Sequence, residues 1–345
     1  MARTPARLMD IARATGFSAN TVSLALRHSR RLPEETRGLI LATARELNYL
    51  PNQVARALVS RETKTVGLVL TDIMNPTLTL AARSIERELA ARGYSLMLAA
   101  SDNVLEKEAG VLDVFRSRQV DGILIYPTAH RQLDRIRPLS AAGYPVVLLV
   151  ADRDAGIDVV GIDDRRGAYK AVKHLIGLGF RDIAFLDAAR AHGNTEKYDG
   201  YASALGEAGI NLVPHFVIDP HGHQATEGYK ALAKLMGRRK KPAAVFAAND
   251  SLAIGALHWC RDNGVRVPDD LALVGYDDIE ASAYVEVPLT TVHYAADVVA
   301  DLAVKRLLAL INLPDQARRP AVTLIEPELV VRRSCGGRSR STQAP

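Results

Sequence analysis

At 345 residues, 48% hydrophobic and 24% charged, the chain suits a small module joined to a larger body and leaves disorder to its ends. No apolar run reaches the roughly 18–20 residues of a membrane helix, and MARTPARLMD lacks the apolar stretch of a secretory signal, so the expected location is the cytoplasm. Residues 1–64 carry 11 Lys and Arg against 5 Asp and Glu, whereas the remainder carries 33 against 34; a basic head on a near-neutral body points to a polyanionic partner for the head.

In the first element, LMDIARATG, Leu8, Ile11 and Ala12 recur at helical spacing, and Gly16 ends the helix, since glycine takes a left-handed turn without steric cost. Ser18 is then a good N-cap for a second helix carrying Val22, Leu24, Ala25 and Leu26. Helix, tight turn, helix is the helix-turn-helix arrangement, with Ala12 small enough to let the two approach. Such a recognition helix offers its first side chains to base edges in the major groove. Asn20 can bond adenine bidentately, Ala19 and Leu24 can meet a thymine methyl, and Ser18, Thr21 and Ser23 suit phosphate contacts or caps. Pro33, Glu34 and Glu35 open a third helix, in which Leu39, Ala42 and Leu47 are spaced to pack on the first two. Pro51 stops it, and NQVARALVS, with Asn52, Ala55, Arg56 and Leu58, can form a further short helix.

DIARATGFSANTVSLAL, PEETR, ELNYLPNQVARAL and TKTVGLV together resemble the head and hinge of the lactose-repressor (LacI/GalR) family of bacterial transcription regulators. The resemblance implies that PNQVARAL is a hinge helix that orders on operator DNA. Leu58 would then be the leucine that wedges into the minor groove, with Ala55 and Arg56 beside it.

From Val66 the runs TVGLVL, YSLMLAA, DGILIY, YPVVLLV, DIAFL, PAAVFAA and DLALVGY alternate with helical stretches. Buried strands alternating with helices argue a mostly parallel α/β body, and seven of them suit two subdomains. In such sheets ligands bind beyond the carboxyl ends of the strands. The body is similar to the same family's effector-binding core, itself like the periplasmic sugar-binding proteins, through TDIMNPTLTLAARSIERELAARGY, GAYKAVKHLIGLGFRDIAFL, AAVFAANDSLAIGAL and VRVPDDLALVGYDD. The implied architecture is an all-α helix-turn-helix head (1–50), a hinge helix and linker (51–65), and a body of two doubly wound subdomains (66–163 with 293–325, and 164–292 with 326–334). Three crossovers near 163, 292 and 326 would join the subdomains, and a flexible tail (335–345) would follow.

Carried over by motif, Asp72, Asn75, Thr77 and Leu78 face the cleft from one subdomain, and Asn249, Asp250 and Asp277 from the other. Carboxylates and amides suit the hydroxyls of a polyol, although an Asp at a strand end also often caps the next helix. Two positions depart from the family. Lys197 stands where an Arg usually precedes the Gly-aromatic pair, exchanging a planar fork for a point charge, and His223 stands where an aromatic often closes the pocket. A carbohydrate is the family-level expectation for the effector, with a nucleoside or another small polar metabolite behind it.

Cys260 and Cys335 show neither a disulfide framework nor metal-ligand spacing, and two histidines two apart, His221 and His223, read as a solvated loop before a metal site, so no metal and no cofactor are expected. Nor is there a P-loop, nucleophile elbow, HExxH or dinucleotide fingerprint to argue an enzyme. The expected protein is an effector-controlled regulator, by family habit a repressor, binding a near-palindromic double-stranded operator as a homodimer and no membrane. The tail CGGRSRSTQAP cannot form a tetramerising helix. A solute-binding receptor of a sugar transporter is the competing reading, which leaves the head unexplained.

Overall fold

Three short helices pack through small and branched residues in the first of two units, which spans 1–63, with the second spanning 64–345. The structure, a computed structural model, describes residues 6–27, 29, 31–49, 62–314 and 319–337. Helix α1 (Leu8–Thr15) ends at Gly16, whose φ of 74° is left-handed and whose N–H returns to the Ala12 carbonyl. Helix α2 (Ala19–Leu26) starts at Ser18, whose Oγ accepts from the Thr21 N–H at 3.1 Å. The core comprises Ile11, Ala12, Val22, Ala25, Ile40 and Ala44.

Helix α3 (Glu34–Glu46) is rotated from the sequence expectation: Leu39 and Leu47 are exposed and Ala42 only half-buried, while Ile40 and Ala44 face α1 and α2. The β-branched Ile40 fills the center, and Ala44, one turn on, admits the neighbouring backbone. The expected hinge residues Asn52, Ala55, Arg56 and Leu58 lie outside the described residues.

In the second unit all seven apolar runs are strands: β1 Thr65–Leu70, β2 Ser95–Ala100, β3 Gly122–Ile125, β4 Val146–Leu148, β6 Ile183–Leu186, β8 Ala244–Ala247 and β9 Ala272–Val274. Five more join them: β5 Asp158–Ile162, β7 Val217–Ile218, β10 Thr291–His293, β11 Val322–Ile325 and β12 Glu328–Val330. One parallel sheet runs β11-β5-β4-β3-β1-β2 and a second β7-β6-β8-β9, while β10 and β12 pair antiparallel. The chain leaves the first sheet after Ile162, crosses back through β10 to the long helix Ala296–Asn312, and crosses again between Ile325 and Glu328.

Each sheet is doubly covered, as parallel sheets require. On the first, Leu68, Leu124, Val160, Val304 and Leu307 form one core, while Phe115, Ile123, Ile125 and Leu148 form the opposite one. On the second, Phe185 stacks on Tyr201 and Phe246 at centroid distances of 5.2 and 5.1 Å. Cys335, expected to open a flexible tail, is instead fully buried: its Sγ lies 3.2 Å from His174 Nε2 and accepts from Thr290 Oγ1 at 3.1 Å.

Candidate functional site

The first unit presents the start of α2. Asn20 is exposed, with no hydrogen-bond partner among the described residues. Ser18 caps the helix and also bonds Thr21 Oγ1 at 2.9 Å, and Ser23 Oγ accepts from Arg27 Nη2 at 3.0 Å. Ala19 and Leu24 are half-buried. The polar side chains flanking Asn20 are thus engaged within the helix, and the Asn20 side chain is exposed at its first turn.

The second unit holds a cleft with about 170 Å³ of free space. Each lining residue closes or follows a strand at its carboxyl end: Asn75, Thr77 and Leu78 after β1, Tyr126 and His130 after β3, Asp164 after β5, Asp187, Glu196 and Lys197 after β6, Asn249 after β8, Asp277 after β9. Parallel strands converge their carboxyl ends on one edge, and the two sheets face one another across it.

Seven of the nine residues expected at the cleft line it, and two do not. Asp72 sits at the rim, where its Oδ1 accepts from the Met74 N–H at 2.7 Å and its Oδ2 from Gln224 Nε2 at 3.3 Å. Asp250 is fully buried behind the wall, accepting from Thr291 Oγ1 and Ser282 Oγ, both at 2.6 Å, and from the Ile279 N–H at 3.0 Å. Burial outweighs these bonds and pushes its carboxyl up to about 6. Its bonds clamp a strained turn, since Asp277 and Asp278 take φ values of 109° and 57°, a region non-glycine residues rarely occupy.

The helix caps come from the amides. Asn75 Oδ1 accepts from the Thr77 N–H at 3.0 Å and starts Pro76–Ala90, and Asn249 Oδ1 accepts from the Leu252 N–H at 2.7 Å and starts Asp250–Asp262. Asn249 Nδ2 donates to the His223 carbonyl at 3.2 Å. Lys197 Nζ donates to the Ala248 carbonyl at 2.8 Å, lies 3.8 Å from the Tyr276 ring centroid, and stands 3.9 Å from Asp164 Oδ1. A point charge fits that three-way site, where a planar fork would need paired acceptors.

Sequence reasoning missed Tyr126, His130, Asp164, Asp187, Glu196, Tyr276 and Tyr294, although the rule that ligands sit beyond strand ends would have reached Asp187 and Tyr126. Asp187 is 3% exposed; its Oδ1 accepts from the Ala189 N–H at 2.9 Å and its Oδ2 has no hydrogen-bond partner among the described residues. Burial pushes it up to about 6 against the pull of Lys197, and Asp277 up to about 7. For Asp277, Lys197 opposes the shift and buried Asp250 adds to it. The Tyr126 and Tyr294 hydroxyls bond each other across the back of the cleft, and burial holds both far above the usual phenol value.

Direct contacts bridge the rim. His130 Nδ1 lies 3.3 Å from Glu196 Oε2, the His130 N–H donates to Asn194 Oδ1 at 2.9 Å, and Arg131 Nη2 donates to Thr195 Oγ1 at 3.1 Å. Burial alone would raise Glu196, but His130 and the backbone hold it below the usual carboxylate value. Among the described residues, no group of three His, Cys, Asp or Glu is placed to hold a metal, and no helix is long and apolar enough to cross a membrane.

Residues 7–52 match the family of bacterial regulatory proteins of lacI type, and residues 172–335 match the periplasmic binding protein-like domain. The HTH-type transcriptional repressor PurR of Pasteurella multocida (strain Pm70) is 33% identical over 336 residues, 96% of this chain and 99% of that protein. PurR of Haemophilus influenzae (strain PittEE) is 31% identical over 95% of this chain and 98% of its own. A solved lac repressor dimer bound to operator and the anti-inducer ONPF matches with a TM-score of 0.86 at 25% identity, over 96% of this chain and 99% of that one. A transcriptional regulator CelR–cellobiose complex matches at 0.69 and 28% identity, over 95% and 99%.

Proposed function

Because this chain belongs to the lacI family of bacterial regulatory proteins and is one of its DNA-binding transcriptional repressors, we propose that a small polar effector in the cleft controls how tightly its head holds an operator. The observation that carries this reading is the convergence, from two sheets, of polar side chains at strand carboxyl ends on one cleft. The proposed effector contacts are Asn75, Thr77, Leu78, Lys197, His223, Asn249 and Asp277, and a carbohydrate fits their mixture of acceptors and donors. Base reading belongs to Asn20 with Ala19 and Leu24, while Ser18, Thr21 and Ser23 hold the helix that presents it and border the phosphates; Asn52, Ala55, Arg56 and Leu58 would follow the minor groove.

Control is linkage. An effector that prefers one arrangement of the two subdomains changes DNA affinity through a coupling on the order of 1–3 kcal/mol, and operator DNA changes effector affinity by the same factor. A homodimer with two heads about a two-fold axis requires a near-palindromic site. Strand β2 supports a dimer: it is an edge strand with Leu98 47% exposed, and Leu80 and Val114 are exposed on the helices packed beside it. Binding and release, rather than turnover, are the chemistry proposed for a cytoplasmic protein.

The test is genome-wide immunoprecipitation of the tagged protein, followed by footprinting of the enriched DNA with and without metabolites of the adjacent genes. A near-palindromic footprint that one such metabolite weakens or strengthens is the expected result. A footprint indifferent to all of them would remove the effector from the account, and no enriched site would remove operator binding.

A further inference from the structure

The charge of the cleft is one-sided. Asp164, Asp187, Glu196 and Asp277 line it, and the fixed cation among the lining residues is Lys197. That ammonium is already committed to the Ala248 carbonyl, the Tyr276 ring and the edge of Asp164, and Glu196 is paired with His130. Asp187 and Asp277 make no ion pair of their own among the described residues. Deep in the cleft, Asp187 Oδ2 is buried without a hydrogen-bond partner among the described residues.

A buried carboxylate oxygen left without a donor is costly, and the cost falls when a ligand supplies one. A carboxylate or phosphate on the ligand would add negative charge to this set inside a poorly screened cavity. A neutral hydroxyl would satisfy the oxygen but leave the charge standing. A protonated nitrogen does both, through a charge-assisted bond of roughly twice the neutral strength.

From this geometry, and resting on the effector cleft proposed above, we infer that the effector carries a protonated nitrogen, an amine or an amidine-type group, received by Asp187. Asp187 is therefore the residue that sets ligand charge. The elevated values of Asp187 and Asp277 agree with a site built to meet a cation it does not itself contain.

Calorimetry on the full chain with two matched sets tests this: D-glucosamine, D-glucose and D-glucuronate, and putrescine, butanediol and succinate. In at least one set the amine is expected to bind about tenfold more tightly than the alcohol and the acid. D187N should erase most of that preference, with the melting temperature recorded beside it as the check on folding, since Asn retains the acceptor for the Ala189 N–H. An alcohol or acid that binds at least as tightly as its amine, silence from both amines, or an undiminished amine preference in D187N overturns the inference. Were D187N to unfold, the wild-type comparison decides alone. Operator footprinting on the same preparation separates the outcomes: DNA held and released by a neutral sugar sinks only the charge inference, whereas no DNA binding sinks the regulatory reading.

Discussion

Asn20 stands on the first turn of α2 with its amide unengaged, and its neighbours are tied into the helix. Asn20→Ala should cost about 1–3 kcal/mol on the cognate operator and relax preference at one base position; equal losses on scrambled DNA in a mobility-shift titration would show that it reads no base. In the body, Asp250 acts through others. Its three accepted bonds hold the turn at Asp277 and Asp278 in a left-handed conformation they would not adopt alone. Asp250→Ala leaves buried donors unpaired and should cost on the order of 3 kcal/mol. Lower effector affinity should accompany the lower melting temperature, and an unchanged melting temperature would assign the turn to its pairing with β10 instead.

At the scale of elements, the helix pair Ala225–Met236 and Asp250–Asp262 crosses with almost no space between backbones. A Cβ on Gly255 would lie 1.8 Å from the Ala225 carbonyl oxygen, and one on Gly228 2.1 Å from that of Leu252. Gly255→Ala should therefore destabilise the body by about 1–3 kcal/mol, read by chemical denaturation; a neutral result would mean that the helices part easily. The edge strand β2 makes a different demand. Leu98→Glu is expected to leave the fold intact and convert dimer to monomer in sedimentation, with weaker operator binding, because a charge is placed on the proposed dimer face. The strands found by sequence, even three-residue β4 and β9, lie within longer apolar runs, whereas β7, β10 and β12 lie within none and leave no periodic trace. Helix α3 shows the limit within a helix: Leu39 and Ile40 are equally apolar, and only the fit against α1 and α2 chooses Ile40.

For the whole body, the pH response follows from its buried acids. Asp187 and Asp250 are held up to about 6 and Asp277 up to about 7, above the ordinary 3.8. Between those values the native state keeps protons that the unfolded chain has released, so stability is full below the ordinary value and declines as pH rises toward the elevated ones. His293, raised by its bond to Asp278, acts in the same direction, and His174, held down by burial, opposes it. The melting temperature should be higher near about pH 5 than near about pH 8, with the difference reduced in Asp277→Asn. A melting temperature rising over that window would show that these carboxyls are solvated and ionised.

The amino-acid sequence by itself determined the helix-turn-helix head, its Gly16 turn and Ser18 cap, the parallel α/β body and the family. These are encoded locally, in residues whose spacing or backbone freedom permits few alternatives. Tertiary structure alone decided which polar groups meet. Asn249 rather than Asp250 caps its helix, Asp250 is buried behind the wall, and Asp187 is left with an oxygen unpartnered among the described residues. The reason is that those roles depend on what two sheets, joined by three crossovers, bring within hydrogen-bond distance, and residues as far apart as Asp250 and Thr291 carry no mark of that meeting in their own neighbourhoods.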